Sequence, residues 1–203
     1  MGALMVRIRI WESVGRVLAW MDEQEHAVTH QHDTFNRGRA VVDLDALLAE
    51  PLRGGGPTEL EYDPYTGEWV RTRGEGFVLA PLWESRSLYG VSYEEWHDVV
   101  DGGDLNAMSL VAALTRRWGA PRTVVMRPVM FQPLPCEPMP PVLEALSDVD
   151  NYGDLTVWGP VPAGPGGAAR WVGVSVKHCD EKAPLVLMAV VADREIVEWE
   201  TPL

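Results

Sequence analysis

Lysine is nearly missing from this chain: of 17 Lys and Arg residues, only Lys177 and Lys182 are lysines. Cationic side chains of either kind are outnumbered by 30 acidic ones, leaving a net charge of −13. A reader of nucleic acid needs a positive field against the phosphates, and this chain on average repels them. It repels an anionic membrane surface for the same reason. Cysteine is equally sparse. Cys136 and Cys179 stand apart without CxxC spacing, which argues against a zinc site and a disulfide framework. The longest apolar run, Leu185 to Ala192, falls far short of the roughly 18 residues a membrane helix needs. No basic segment leading into an apolar block with a small-residue cleavage site is visible near residue 1, so the expectation is cytoplasmic residence with reduced thiols.

Catalytic signatures are lacking too. Gly54-Gly55-Gly56-Pro57 has no following Lys-Ser/Thr and so is a joint, not a phosphate cradle. Gly74-Glu75-Gly76 is a lone GxG without a third glycine or a following helix. His178 and Cys179 are adjacent, so on a strand their side chains point apart and cannot act as base and nucleophile. What is present is the material of a core. A 46% hydrophobic content with nine tryptophans excludes a disordered tail, and 203 residues suffice for one full core. The 19 glycines and 16 prolines imply short elements joined by many loops. Arginine in place of lysine, with abundant Ala, Gly, Pro and Val, points to GC-rich coding.

The stretch from Asp104 to Arg127 organises the rest. Gly102-Gly103 predicts a break, after which Asp104 can cap a helix whose stop is Gly119 followed by Pro121. At about 100° per residue, Asn106, Ser109, Ala113, Arg116 and Arg117 fall on one narrow strip. Leu105, Met108, Leu110, Val111, Ala112, Leu114 and Trp118 occupy nearly all the rest, predicting a helix covered on most sides. Thr123 to Met126 then predicts a strand central to the fold.

Earlier in the chain, Val6, Ile8 and Ile10 alternate as in a strand, and Ser13 can cap a helix running to about His30. Asn36 to Gly38 predicts a turn, Val41 to Leu52 a short helix ended by Pro51, and residues 59–63 and 68–72 a hairpin about Pro64 to Gly67. Phe77 to Ala80 is a further strand. Ser92 and Glu95 have the spacing of a capping box for a separate helix from Tyr93 to about Val100. Later, six prolines between Pro128 and Pro141 predict an extended link before a short helix over Val142 to Leu146. Strands follow at Leu155 to Trp158, at Arg170 to His178 and at Leu185 to Ala192, the last apolar on both faces as in an inner strand; Glu195 to Glu200 is expected to add an acidic edge strand. These readings commit to a single α+β domain over residues 1–203, a mainly antiparallel sheet packed on one face by helices. Residues 1–101 would supply a helical and hairpin half, and residues 104–203 a helix plus the sheet.

Two groups of residues suggest chemistry. Asp22, His26 and His30 are spaced by four and form one stripe on a helix, with His32 just beyond; two imidazoles so placed can share a divalent ion with a carboxylate. The same spacing also arises on an ordinary solvated face, and the motif is not HExxH. The second group is the outer side of the Tyr93 helix, where Glu94, Glu95, Asp98 and Asp101 combine with Tyr93 and His97. Carboxylates steer a basic partner, and an exposed aromatic adds buried contact at low entropy cost.

The run ALTRRWGAPRTVVM, the proline-rich link, LTVWGPV, RWVGVSV and LVLMAVVAD resemble small acidic actinobacterial proteins, some of them immunity partners of bacterial toxins. The likeness covers about the last hundred residues and implies an immunity-type binding role; no cofactor is expected. Charge and the lack of catalytic spacing agree: the expected function is an immunity or inhibitor-type protein covering a basic partner such as a toxin. The alternatives are a metal-binding domain or metal-dependent hydrolase built on the His/Asp stripe, and a structural component of a bacterial or phage assembly.

Overall fold

The computed structural model describes residues 34–126, 139–164, 167–177 and 182–199. The strand at Val6 to Ile10, the helix to His30, the stripe of Asp22, His26, His30 and His32, both cysteines and His178 lie outside the described residues. Residues 34–203 cluster as one compact unit.

That unit is α+β. Its helices are α1 (Arg37–Ala49), α2 (Tyr93–Trp118) and α3 (Pro141–Asp148). Its strands are β1 (Glu59–Tyr62), β2 (Trp69–Gly74), β3 (Phe77–Glu84), β4 (Arg122–Val124), β5 (Leu155–Pro162), β6 (Ala169–Lys177) and β7 (Val186–Ala192). The seven strands among the described residues join one sheet in the order β1-β2-β3-β7-β6-β5-β4, and each neighbouring pair is antiparallel.

The unbroken apolar run of β7 explains its central place. Every residue in it is buried. Because side chains alternate across a strand, Leu187, Ala189 and Val191 enter one core with Leu44, Leu48, Leu110, Leu114 and Trp158. Val186, Met188, Val190 and Ala192 enter the other with Val124, Leu143, Leu146 and Leu155. The two longer helices therefore cover one face of the sheet, and α3 covers the opposite face together with Ile196 and Trp199.

Several expectations are corrected. The double glycine does not divide the helix: α2 runs unbroken for 26 residues through Gly102 and Gly103, and Asp104 lies in its interior, not at a cap. Gly103 is buried where a Cβ would stand 2.8 Å from Leu185 Cδ2, so its glycine serves close packing on the residue that leads into β7. Nor is α2 covered on most sides, since Leu105 and Met108 are 65% and 66% exposed. Its C-terminus follows the expected signal, with Gly119 at φ 88° and its N–H bonded to the Thr115 carbonyl at 2.9 Å.

Asn36 is the N-cap of α1 and not part of a turn; its side chain accepts from the Arg39 N–H at 3.0 Å. The strand expected at the centre, β4, has three residues and lies at the sheet edge. Residues 195–199 form no strand. Ile196 and Trp199 are instead buried in the core, and the Glu198 carboxylate accepts the Val125 N–H at 3.0 Å. That bond occupies a donor beside the edge strand, which discourages pairing with another chain.

The hairpin half and the helix-plus-sheet half are tied by arginines. Arg170 on β6 donates from Nη1 to the Leu48 and Glu50 carbonyls at 2.7 and 2.6 Å, satisfying orphaned acceptors at the end of α1. The Glu50 carboxylate in turn pairs with Arg73 and, at 3.2 Å, with Arg71. Both arginines also reach Glu61, at 2.6 and 3.5 Å, closing a four-residue ring of alternating charge. The acidic groups of this ring are thus internally neutralised.

Candidate functional site

The nominated patch is built on the first turns of α2. Ser92 accepts the Glu95 N–H at 3.3 Å while its own N–H donates to Glu95 Oε2 at 2.9 Å, the reciprocal pair the sequence spacing predicts. The Ser92 backbone N–H, the Ser92 hydroxyl and, more weakly, Arg86 at 3.7 Å hold the Glu95 carboxyl below the usual carboxylate range, against an opposing desolvation. Glu95 is therefore engaged in starting the helix.

The other carboxylates are differently placed. Glu94, Asp98 and Asp101 are exposed and, among the described residues, have no hydrogen bond or ion pair. Spacings of four and three put them on one side of the helix, and the same continuous register brings Asp104, likewise exposed and without a partner among the described residues, onto their flank. Acids elsewhere on the described surface are commonly paired: Asp43 with Arg39, Asp45 with Arg117, Glu59 with Arg53, and Glu195 with Arg122.

Beside the stripe stands a small aromatic stack. The Tyr93 ring, 77% exposed, meets the half-buried His97 edge to face at 4.3 Å between centroids, and His97 meets Trp96 at 5.0 Å. Tyr93 thus packs on His97 by one edge and projects its remaining surface into solvent. One turn beyond Asp101 the surface becomes apolar at Leu105 and Met108. The result is a helical ridge with an aromatic residue and four unpaired carboxylates in its first turns, then two exposed large apolar side chains.

Of the six residues expected here, five share this surface and Glu95 serves the cap. Asp104, Leu105 and Met108 were not legible as part of it because the expected break at Gly102-Gly103 removed the angular relation between them and Asp101. A continuous register places Leu105 four residues and Met108 seven residues beyond Asp101, and that spacing was the available signal.

Among the described residues no helix is long and apolar enough to cross a membrane, and no group of three His, Cys, Asp or Glu side chains is placed to hold a metal ion. No protein family matches the sequence, and neither a curated protein nor a solved structure matches it.

Proposed function

We propose that this chain is a non-catalytic acidic binding protein of the immunity or inhibitor type, whose α2 ridge covers a basic surface on a protein partner such as a toxin. The observation that carries the reading is the run of unpaired carboxylates, Glu94, Asp98, Asp101 and Asp104, beside exposed Tyr93, Leu105 and Met108 on one rigid helix. What supports the reading is that these carboxylates and the exposed large apolar side chains lie together on one face of the helix. A binding face needs both, one for steering and the other for contact that holds after encounter.

The test is affinity capture from the source cell, with the bound species identified and its affinity measured for the wild type and for the Glu94→Gln, Asp98→Asn, Asp101→Asn triple variant. The expected species is a basic protein whose activity falls on binding. Its association slows as salt rises, and the triple variant binds it at least about tenfold more weakly. Equal binding by the variant, or an affinity indifferent to salt, would exclude the reading.

A further inference from the structure

Where α2 crosses the beginning of β5 and the end of β6, a cleft of about 240 Å³ opens beside the acidic ridge. Its walls are mixed: Ala107 and Val111 of the helix and Val174 and Val176 of the sheet supply apolar surface, and Thr156 and Ser175 supply hydroxyls. Asp104 on the helix and Asp154 at the start of β5 also line it. The two carboxylates come from different elements, and neither has a cationic partner among the described residues. Asp154 Oδ1 accepts the Met126 N–H at 3.1 Å, which fixes the side chain.

The turn that carries Asp154 is held low over β6. Ser175 Oγ donates to the Gly153 carbonyl at 2.9 Å, and a Cβ on Gly153 would stand 2.4 Å from the Val176 carbonyl oxygen, so this position accepts only glycine without moving backbone. The Ser175 hydroxyl is thereby committed to the turn. The carboxylates are the charged groups the cleft offers a ligand, beside the Thr156 hydroxyl.

Apolar surface from Val111 and Val176 next to carboxylates is complementary to a side chain that is apolar along its stem and cationic at its head. Between the two candidates, arginine fits better, because a guanidinium is weakly hydrated and can hydrogen-bond carboxylates on two sides at once. We propose that this cleft receives one arginine side chain of the basic partner, its stem along Val111 and Val176 and its guanidinium shared by Asp104 and Asp154. The inference rests on the proposed function, deepening it by naming an anchor next to the ridge.

The test probes the cleft alone, with n-butylguanidinium as the side-chain mimic and neutral n-butylurea as its isosteric control, followed by amide chemical shifts. Saturable shifts are expected at Gly153, Asp154, Thr156 and Val176 with the guanidinium, and about tenfold weaker binding with the urea. The Asp104→Asn, Asp154→Asn double variant, whose new amide oxygen at position 154 can still accept the Met126 N–H, should lose the response while melting as the wild type does. Asp154→Asn alone should weaken it. Absence of saturation, equal response to the urea, or unchanged binding by the double variant would overturn the inference. Neither aspartate is altered in the triple variant that tests the ridge, so failure of the cleft and failure of the binding face are read separately.

Discussion

Leu185 Cδ2 lies 2.8 Å from the point where a Cβ on Gly103 would stand, while its neighbour Gly102 faces open space. Two adjacent glycines of one helix are therefore predicted to respond differently to the same change. Gly102→Ala gains helix propensity without a clash and should stabilise the protein by about 1 kcal/mol. Gly103→Ala gains the same propensity but must displace Leu185, which is 1% exposed, so its net effect should fall below that of Gly102→Ala. Gly103→Leu overfills the contact and should destabilise by about 1–3 kcal/mol. Urea unfolding of the three variants checks the order.

Arg170 holds the end of α1 across the sheet. Removing its guanidinium leaves the Leu48 and Glu50 carbonyls without that donor, and charge-assisted bonds of this kind contribute about 1.5–3 kcal/mol. Arg170→Ala is expected to lower stability by about that amount and to reduce hydrogen-exchange protection in the last turn of α1. Loss of stability with unchanged protection there would assign the effect to packing along β6 instead.

The sequence made the sheet legible where packing alone decides it. The apolar run at β7 was identifiable as an inner strand because both faces of it are buried, and the alternation of Val172, Val174 and Val176 placed these three side chains together on one face of β6, where the structure has them. It was misleading where an intrinsic preference is overridden by tertiary contact. Gly102-Gly103 reads as a stop signal, yet the packing of Gly103 on Leu185 and the continuous hydrogen bonding of α2 outweigh a propensity cost of about 1 kcal/mol per glycine. Glu195 to Glu200 reads as an edge strand by charge, whereas Ile196 and Trp199 are drawn into the core and the backbone follows them. The candidate face suffered from the same error as the helix: its acidic half was visible in the sequence, and its apolar half was hidden by the expected break.

Asn151 is fully buried in the turn between α3 and β5, and neither Oδ1 nor Nδ2 of its side chain has a hydrogen-bond partner among the described residues. An unsatisfied buried amide costs about 1–3 kcal/mol, so Asn151→Leu, which keeps the branched shape though it is bulkier, should be neutral or stabilising by about 1 kcal/mol. Asn151→Asp should be strongly destabilising at neutral pH, because it places an unpaired charge in the same space, and the loss should shrink in acid. Thermal melting of both variants at pH 7 and at about pH 4 distinguishes these outcomes.

Glu95 provides a pH-dependent start to α2. Its carboxyl is held below the ordinary range chiefly by the Ser92 N–H, so the folded protein binds this proton less readily than the unfolded chain does. The contribution is therefore fully present above the unfolded carboxylate range, near about pH 4.3, and is lost as pH falls through the lower folded value. Glu95→Gln, which keeps the bond but not the charge, should melt below the wild type at neutral pH, with the difference closing in acid. A gap that stays constant with pH would remove the charge from the explanation.

The sheet order has a consequence for how this chain is made. Among the described strands β7 is synthesised last yet lies between β3 and β6, so before the ribosome has delivered it β1-β2-β3 and β6-β5-β4 are two separate three-stranded pieces. Each piece then presents an open edge that in the finished protein is sealed by the most apolar strand of all, the kind of exposure that invites pairing with the wrong neighbour. Production of the protein thus depends on a late closing event, and agents that shield strand edges during translation should raise its yield more than agents that act on the completed fold.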